Sequence, residues 1–567
     1  MSRPRVDPRV DNATCAALVA VLVVAFCAAP PAGAATWTAG SGFLEGRPGG
    51  VSGDGRYVVF TSEASDLVPG VTDGNAGPDV FLYDRVTDTV TLVSHAAGSA
   101  TTAGDDESEE PVISADGAWV AFASWATDLV AGQSEGNTGS DVFLYERATG
   151  TVTLVSHDTS LATKTGDGLS QNPVINSDGA WVAFQSYAGN LVAGQTNGNS
   201  GEDVFLYGRT SGTNTVVSHI PAPTTTTGNS TSTLPAISSD GQRVAFESRA
   251  TDLVASMTKS FADKDVFLYD RGSGTVTLAS HVPAPTTTTG NGYSYRPAIS
   301  GNGQWVAFQG TSSDLASMTK NNSQDNVFLY NCTSGAVTLV SHAAGSATAT
   351  GDAGQAHGQA ISSDGAWVAF DSQATDHVNG QSDTNSVYDI FLFHNDGSGT
   401  ITLVSHLPGA PTTTANGTCS DPAISADGGW VAFPSGATNQ VTSQSDSNGD
   451  DDVFLYERAS GTVTLVSHVP AAGTTTGNGY SNDQVINGDG TWVAFTSMAT
   501  DLVNGLTDTN GEEDVFLWGR DSGSVSPASA SGGPGGEPVP ALDPTGLALL
   551  AALLGLAGAW VTRRLAG

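Results

Sequence analysis

Pro111-Val-Ile-Ser-Ala-Asp-Gly-Ala-Trp-Val-Ala-Phe-Ala-Ser124, Asp141-Val-Phe-Leu-Tyr-Glu-Arg147 and Thr151-Val-Thr-Leu-Val-Ser-His157 together decide the fold. They hold four short apolar runs separated by turn chemistry. Asp116-Gly117, between the first and second runs, is a strong hairpin signal, because glycine takes a positive φ without steric cost. Ala148-Thr-Gly150 joins the third run to the fourth in the same way. The unit therefore reads as a four-stranded antiparallel meander. Val-Ala-Phe, Val-Phe-Leu-Tyr and Thr-Leu-Val are apolar without alternation, the pattern of a sheet covered on both faces.

The unit recurs along the chain. Its turn returns as Asp54-Gly55, Asp116-Gly117, Asp178-Gly179, Asp240-Gly241, Asn302-Gly303, Asp364-Gly365, Asp427-Gly428 and Asp489-Gly490, at intervals of 62 residues with a single 63. A fixed long period marks one supersecondary unit copied in tandem. Meanders greasy on both faces bury themselves against their own copies, as propeller blades or as a stacked solenoid. No atypical capping repeat is present apart from an eroded last strand, which favours radial closure. The chain is expected to be all-β, an eight-bladed β-propeller over residues 35–529. Its repeats fall at about 36–95, 96–157, 158–219, 220–281, 282–342, 343–406, 407–468 and 469–529. Trp119, Trp181, Trp305, Trp367, Trp430 and Trp492, with Tyr57 and Arg243, share one equivalent position, expected to pack blade on blade.

Acidic residues number 57 against 20 basic ones, for a formal charge of -37. Such a chain is excluded from binding a nucleic-acid backbone, which requires clustered Lys and Arg; its surface concentrates cations. Arg3, Arg5 and Arg9 precede an apolar stretch from Ala16 to Ala29 and the small-residue site Ala32-Gly33-Ala34, which reads as a cleaved export signal over residues 1–34. The mature chain keeps Cys332 and Cys419, in non-equivalent segments; neither a disulfide nor a metal-type cysteine spacing is expected. Residues 530–540 are a Gly/Ser/Pro linker. Residues 541–567 hold an apolar run from Gly546 to Val561 and then Arg563-Arg564, the pattern of a short transmembrane helix with its basic end in the cytoplasm.

Two resemblances follow from these residues. Pro-x-Ile-Ser-x-Asp-Gly-x-x-Val-Ala-Phe-x-Ser resembles the WD-like propeller repeat of TolB and its exported relatives, over residues 37 to 530. The chain departs from it in lacking a preceding α/β domain and in having eight repeats where TolB has six blades. The tail resembles the C-terminal sorting tails of the PEP-CTERM and IPTL-CTERM kind, although Val539-Pro540-Ala541-Leu542 replaces their defining tetrapeptides. The resemblances imply export into the envelope of a Gram-negative-type bacterium, at the periplasm or cell surface, with the tail tethering the chain or being processed.

Antiparallel order puts the tight turns on one face of a propeller and the long loops on the other, where scaffolds carry function. The long-loop face holds Asp105-Asp106-Glu107, Glu109-Glu110 and the threonine tracts 224–227 and 286–289. It also ends each second-to-third loop in Asp-x-Asn-x-x-x-Asp: Asp73/Asn75/Asp79, Asp383/Asn385/Asp389, Asp446/Asn448/Asp452 and Asp508/Asn510/Asp514. Oxygen ligands at alternating positions beside small residues are what Ca2+ requires; the alternative is a turn in which Asx side chains bond to backbone. Glu135/Asn137/Asp141 and Asn197/Asn199/Asp203 are weaker versions. Lys259 and Lys320 take the first position in two repeats, where an ammonium could replace a cation. Seven fourth strands end in Ser-His (His95, His157, His219, His281, His342, His406, His468) in positions too far from the axis to converge, so a structural role is expected. Gly132-Gln-Ser-Glu-Gly136 matches a hydrolase pattern but sits in a repeat loop without the strand-to-helix elbow that chemistry needs. No catalytic constellation is found. The expected function is binding or scaffolding at the long-loop face, with an envelope protein or polysaccharide as partner. The competing readings are a polymer-acting hydrolase or lyase in the channel, and a purely structural surface protein.

Overall fold

The structure, a computed structural model, describes residues 37–39, 50–259, 263–319, 324–352, 355–508 and 511–532. The segments expected to form an export signal (residues 1–34), a linker (530–540, beyond Gly532) and a transmembrane tail (541–567) lie outside the described residues. Among the described residues there are eight four-stranded sheets, each built in chain order as inner, second, third and outer strand; only in blade 8 does another short strand, Leu506–Thr507, intervene. Blade 2 is representative, with strands Ser108–Ile113, Trp119–Ser124, Asp141–Glu146 and Thr151–Leu154. All its pairings are antiparallel, and Asp116-Gly117 makes the first hairpin, as the sequence predicts.

Continuous apolar runs have the expected consequence. The second and third strands bury both faces, so Val120, Ala121, Phe122, Val142 and Phe143 are fully covered. Each blade stacks two of its phenylalanines, as with Phe122 and Phe143 at 5.7 Å. The apolar clusters lie between neighbouring blades. One of them joins Val58 and Phe60 of blade 1 to Ala494, Val515 and Leu517 of blade 8, which closes the ring.

Closure reuses a device found at the blade junctions. Thr102 and Ala103, in the linker entering blade 2, bridge to Thr72 in parallel and to His95 antiparallel. At the last junction the N-terminal strand Trp37–Ala39 takes that role. It pairs with Leu506–Thr507 in parallel and with Ala530–Gly532 antiparallel, so the start of the chain is clasped between two segments of its end.

The tight-turn end is tied around the axis by backbone. The amide of Gly53 donates to Ala115 O, Asp116 to Ser177 O, Ser177 to Ser239 O, Ser239 to Gly301 O, Asn302 to Ser363 O, Ser363 to Ala426 O and Ala426 to Gly488 O. Asn487 Nδ2 completes the circle on Gly53 O at 3.1 Å. The repeated aromatic is a blade-to-blade contact, as expected. Arg209 of blade 3 lies 4.0 Å over the Trp119 ring of blade 2, and its Nε holds Gly179 O at 2.8 Å. Gly179 has φ +65°, and a Cβ there would stand 2.4 Å from Trp119. Blade 4 has Arg243 in the aromatic position, and blade 5 answers with Cys332 in place of the stacking arginine.

Candidate functional site

The long-loop end of the central channel opens into a cavity of about 750 Å³, walled by the inner strands. Each inner strand from blade 2 to blade 6, and that of blade 8, carries a bulge in the same place, for example between Glu109 and Val112. The bulge residue takes a left-handed backbone: Glu110, Asn172, Leu234, Arg296 and Asp483 have φ near +50° and Gly358 +61°; Asp421, at the same place ahead of the short inner strand Ala423–Ile424 of blade 7, has +42°. Non-glycine residues avoid this region, at a cost on the order of 1–3 kcal/mol each, and it concentrates at ligand-contacting sites. The blades are near copies elsewhere, yet this ring reads Glu, Asn, Leu, Arg, Gly, Asp, Asp.

Three of the bulges are fixed by a neighbouring blade. Glu110 Oε2 accepts the Asn172 amide at 2.6 Å, Gln185 Oε1 the Leu234 amide at 3.0 Å, and Glu247 Oε2 the Arg296 amide at 3.0 Å. Proline follows the bulge in five of these blades, where an amide would have no ladder partner. Blades 6 and 8 use glutamine instead; Gln484 Nε2 donates to Asp421 O at 2.7 Å and Gln359 to Arg296 O. Burial pushes the Glu110 carboxyl up, the Asn172 amide opposes it, and the charge of Glu202 adds to it. Arg296 is exposed, and its guanidinium makes no ion pair among the described residues.

Blade 6 departs most. His357 Nδ1 lies 2.6 Å from Asp371 Oδ1, and this contact raises the imidazole against the opposing effect of burial. Asp371 is fully buried, and its Oδ2 has no hydrogen-bond partner among the described residues. It stands directly behind Gly358, where a Cβ would meet the carboxylate at 3.0–3.2 Å.

The acidic loops lie outside this ring. In blade 1, Asp73 Oδ1 accepts the amides of Asn75 and Ala76 at 3.1 and 3.2 Å. Asn75 Oδ1 accepts the Gly77 amide at 2.8 Å, and its amide straps the loop to Gly104 O and Asp106 O at 2.9 and 3.0 Å. Asp383 with Asn385 and Asp446 with Asn448 repeat the arrangement. Asp508 Oδ1 accepts the Gly511 amide at 2.8 Å, whereas Asn510 and Lys320 lie outside the described residues. The last aspartate of each motif is buried and held by the outer strand: Ser94 Oγ on Asp79 at 2.7 Å, Ser405 on Asp389 at 2.8 Å, Ser467 on Asp452 and Ser529 on Asp514 at 2.9 Å. Burial lifts Asp79 and Asp514 to about 7, and Asp389 and Asp452 to about 8.

That clamp explains the repeated Ser-His. The serine holds the aspartate, and the histidine reaches the next blade. His157 Nε2 is 3.0 Å from Gly212 O, and its ring meets Tyr207 edge-on at 6.2 Å. The histidines are structural, as expected. Thr227 and Thr289, which end the threonine tracts, are buried at blade junctions. Ser134 of Gly132-Gln-Ser-Glu-Gly136 bridges to Lys164 in the loop. Cys332 and Cys419 are free thiols. The bulge ring is what sequence reasoning missed.

Residues 537–564 match the IPTL-CTERM motif, so the tail belongs to that kind despite its divergent tetrapeptide. No curated protein matches the chain. Among solved structures, Porphyromonas gingivalis dipeptidyl peptidase 4 is similar at 14% identity and TM-score 0.49, over 85% of this chain and 59% of that one. Oligogalacturonate lyase from Vibrio parahaemolyticus is similar at 13% identity and TM-score 0.38, over 84% and 98%. TolB from Acinetobacter baumannii is similar at 12% identity and TM-score 0.29, over 72% and 79%. None of these activities transfers at such identities. The chain folds as a closed eight-bladed β-propeller, and its residues 537–564 carry an IPTL-CTERM motif.

Proposed function

We propose that the protein is an exported, envelope-associated binding module whose ligand, a segment of an envelope protein or polysaccharide, seats in the long-loop mouth of the channel. The sorting motif supports export to the envelope. One observation carries the binding reading: six equivalent positions with a left-handed backbone, five of them held by non-glycine residues, differ in chemistry around a cavity large enough for a peptide or oligosaccharide. A ring serving packing alone would repeat like the Asp-Gly turns; an unlike ring offers one acid–base–apolar pattern to one ligand. A binding screen over envelope glycans and proteins, repeated with Arg296→Ala and Glu110→Gln, tests this. The expected result is at least a tenfold loss of affinity for the ligand found, at an unchanged thermal midpoint. Affinity indifferent to both changes would remove the channel as the site.

A second reading, a hydrolase or lyase acting on a polymer, is favoured by the His357–Asp371 pair, which lies beside Gly358 of the cavity wall. With Nδ1 tied to a buried carboxylate, Nε2 is left to take or give a proton, since it has no hydrogen bond among the described residues. Turnover of a polymer that disappears in His357→Gln while binding persists would establish it. Binding without turnover favours the module.

A further inference from the structure

Just past the second strand of each blade, one side chain turns back into the core. Six blades place a leucine there, from Leu67 to Leu502, 1–3% exposed. Blade 6 places His377, and both ring nitrogens are met: Nδ1 lies 2.9 Å from His342 O, and Nε2 lies 2.9 Å from Ser372 Oγ. Blade 7 places Gln440, 1% exposed. Among the described residues neither its Nε2 nor its Oε1 has a hydrogen-bond partner. A buried carboxamide without partners is costly, and the six leucines show that the fold does not require one. The surroundings have changed with it. A Cβ at Gly104 or Gly477, in the linkers entering blades 2 and 8, would stand 2.8 Å from Leu129 or Leu502. Blade 7 has Ala415 at that position, fully buried, so Gln440 cannot follow the leucine's path.

Gln440 stands in the wall of a cavity of about 510 Å³ at the outer rim, between the linker of blades 6 and 7 and the third-to-fourth turn of blade 7. That linker forms a hairpin, His406–Leu407 with Ala410–Thr414, where most junctions hold isolated bridges. Pro408 and Pro411 bring ring surface to the lining, and Thr442, Ser460 and Thr462 bring hydroxyls. No aspartate, glutamate, lysine or arginine lines it, in a chain of formal charge -37. It shares no lining residue with the channel mouth.

We infer that this cavity is a second binding site, for a neutral mono- or disaccharide, with Gln440 as the residue that selects it. The carboxamide sets a donor and an acceptor side by side, and two adjacent hydroxyls of a sugar ring answer both. A trans peptide group, whose N–H and C=O point opposite ways, answers only one. An uncharged lining favours an uncharged ligand, because a charge brought there from water would find no counter-charge. The volume is that of a small-ligand pocket.

The test uses the purified full chain with glucose, galactose, mannose, maltose and cellobiose as probes, read by saturation-transfer NMR. At least one should bind at millimolar concentration and shift the Gln440 side-chain amide resonances, which are identified by their loss in Gln440→Met. That substitution should weaken the saccharide by at least about tenfold and leave the thermal midpoint unchanged or higher, since no carboxamide is then buried without partners. Gln440→Leu combined with Ala415→Gly copies blades 2 and 8; it should act alike, and it stands even if methionine disturbs the fold. Arg296→Ala should leave saccharide binding unchanged, which separates this site from the channel. No binding by any probe at millimolar concentration, or binding that survives both changes at Gln440, overturns the assignment.

Discussion

The two ends of the propeller are built from the same eight copies and treat them in opposite ways. At the tight-turn end the blades repeat one solution: a turn glycine at positive φ in every blade, a backbone bond to the next blade in seven of the eight, and in most an arginine over an aromatic ring. At the long-loop end the same backbone geometry recurs, but the residues on it do not: Glu110, Asn172, Leu234, Arg296, Gly358, Asp421 and Asp483. Uniform chemistry on uniform geometry is what packing demands. Unlike chemistry on uniform geometry is a scaffold presenting a pattern. Substitutions at the first end should therefore change stability, and substitutions at the second should change binding.

The largest effect is expected at the turn end. Gly179→Val forces a branched side chain into a left-handed backbone, at about 1–2 kcal/mol, and drives it into Trp119, at roughly 1–3 kcal/mol more. A loss of about 3 kcal/mol by denaturant titration is expected, without change in ligand binding. Next comes the reversed junction of blades 4 and 5. Arg243→Trp combined with Cys332→Arg rebuilds the pair seen elsewhere, and the two changes should be coupled favourably by about 1 kcal/mol in a double-mutant cycle. Additive effects would mean that the repeated stack stabilises nothing beyond its separate parts.

The turn end was legible in the sequence because its signals are local. Asp-Gly, the apolar runs and the 62-residue period each specify a turn, a buried sheet and a copy number. The bulge ring was not legible, because it lies in two variable positions before Pro111, Pro173, Pro235 and Pro297, and variation between copies carries no periodic signal. The cue was there: Glu109-Glu110, Gln171-Asn172, Thr233-Leu234 and Tyr295-Arg296 vary between a repeated serine and a repeated proline. The clasp was missed similarly, although Thr38-Ala39 repeats Thr102-Ala103 and so marks the first residues as a junction. The acidic loops were half legible. Their spacing showed the aspartates and the Lys259 exchange, but not that Ser94 and its equivalents, some 15 residues on, hold the last aspartate from the outer strand.

An intermediate effect is expected from pH. Burial raises Asp141 to about 8 and Asp203 to about 7, from 3.8. The folded state keeps protons that the unfolded chain releases, so this contribution to stability is full below about pH 4 and is lost as pH rises toward 8. In chelator the thermal midpoint should fall across that range, and Asp141→Asn should flatten the fall. A midpoint rising from pH 5 to 8 would show that partners of opposite charge, and not burial, govern these groups.

The smallest stability effect is expected at the bulge ring, and it decides whether the two ends differ in kind. Leu234→Gly relieves a left-handed leucine, worth about 1–2 kcal/mol, but adds roughly 0.5–1 kcal/mol of chain entropy and removes the contacts of a side chain that is 38% exposed. These contributions nearly cancel, so the denaturation midpoint should move by no more than about 0.5 kcal/mol in either direction. Because Leu234 lines the cavity, affinity for a channel ligand should drop while stability stays put. A loss above about 2 kcal/mol would instead place Leu234 among the packing residues, and the loop end would then be a second copy of the turn end, with no chemistry left to offer a ligand.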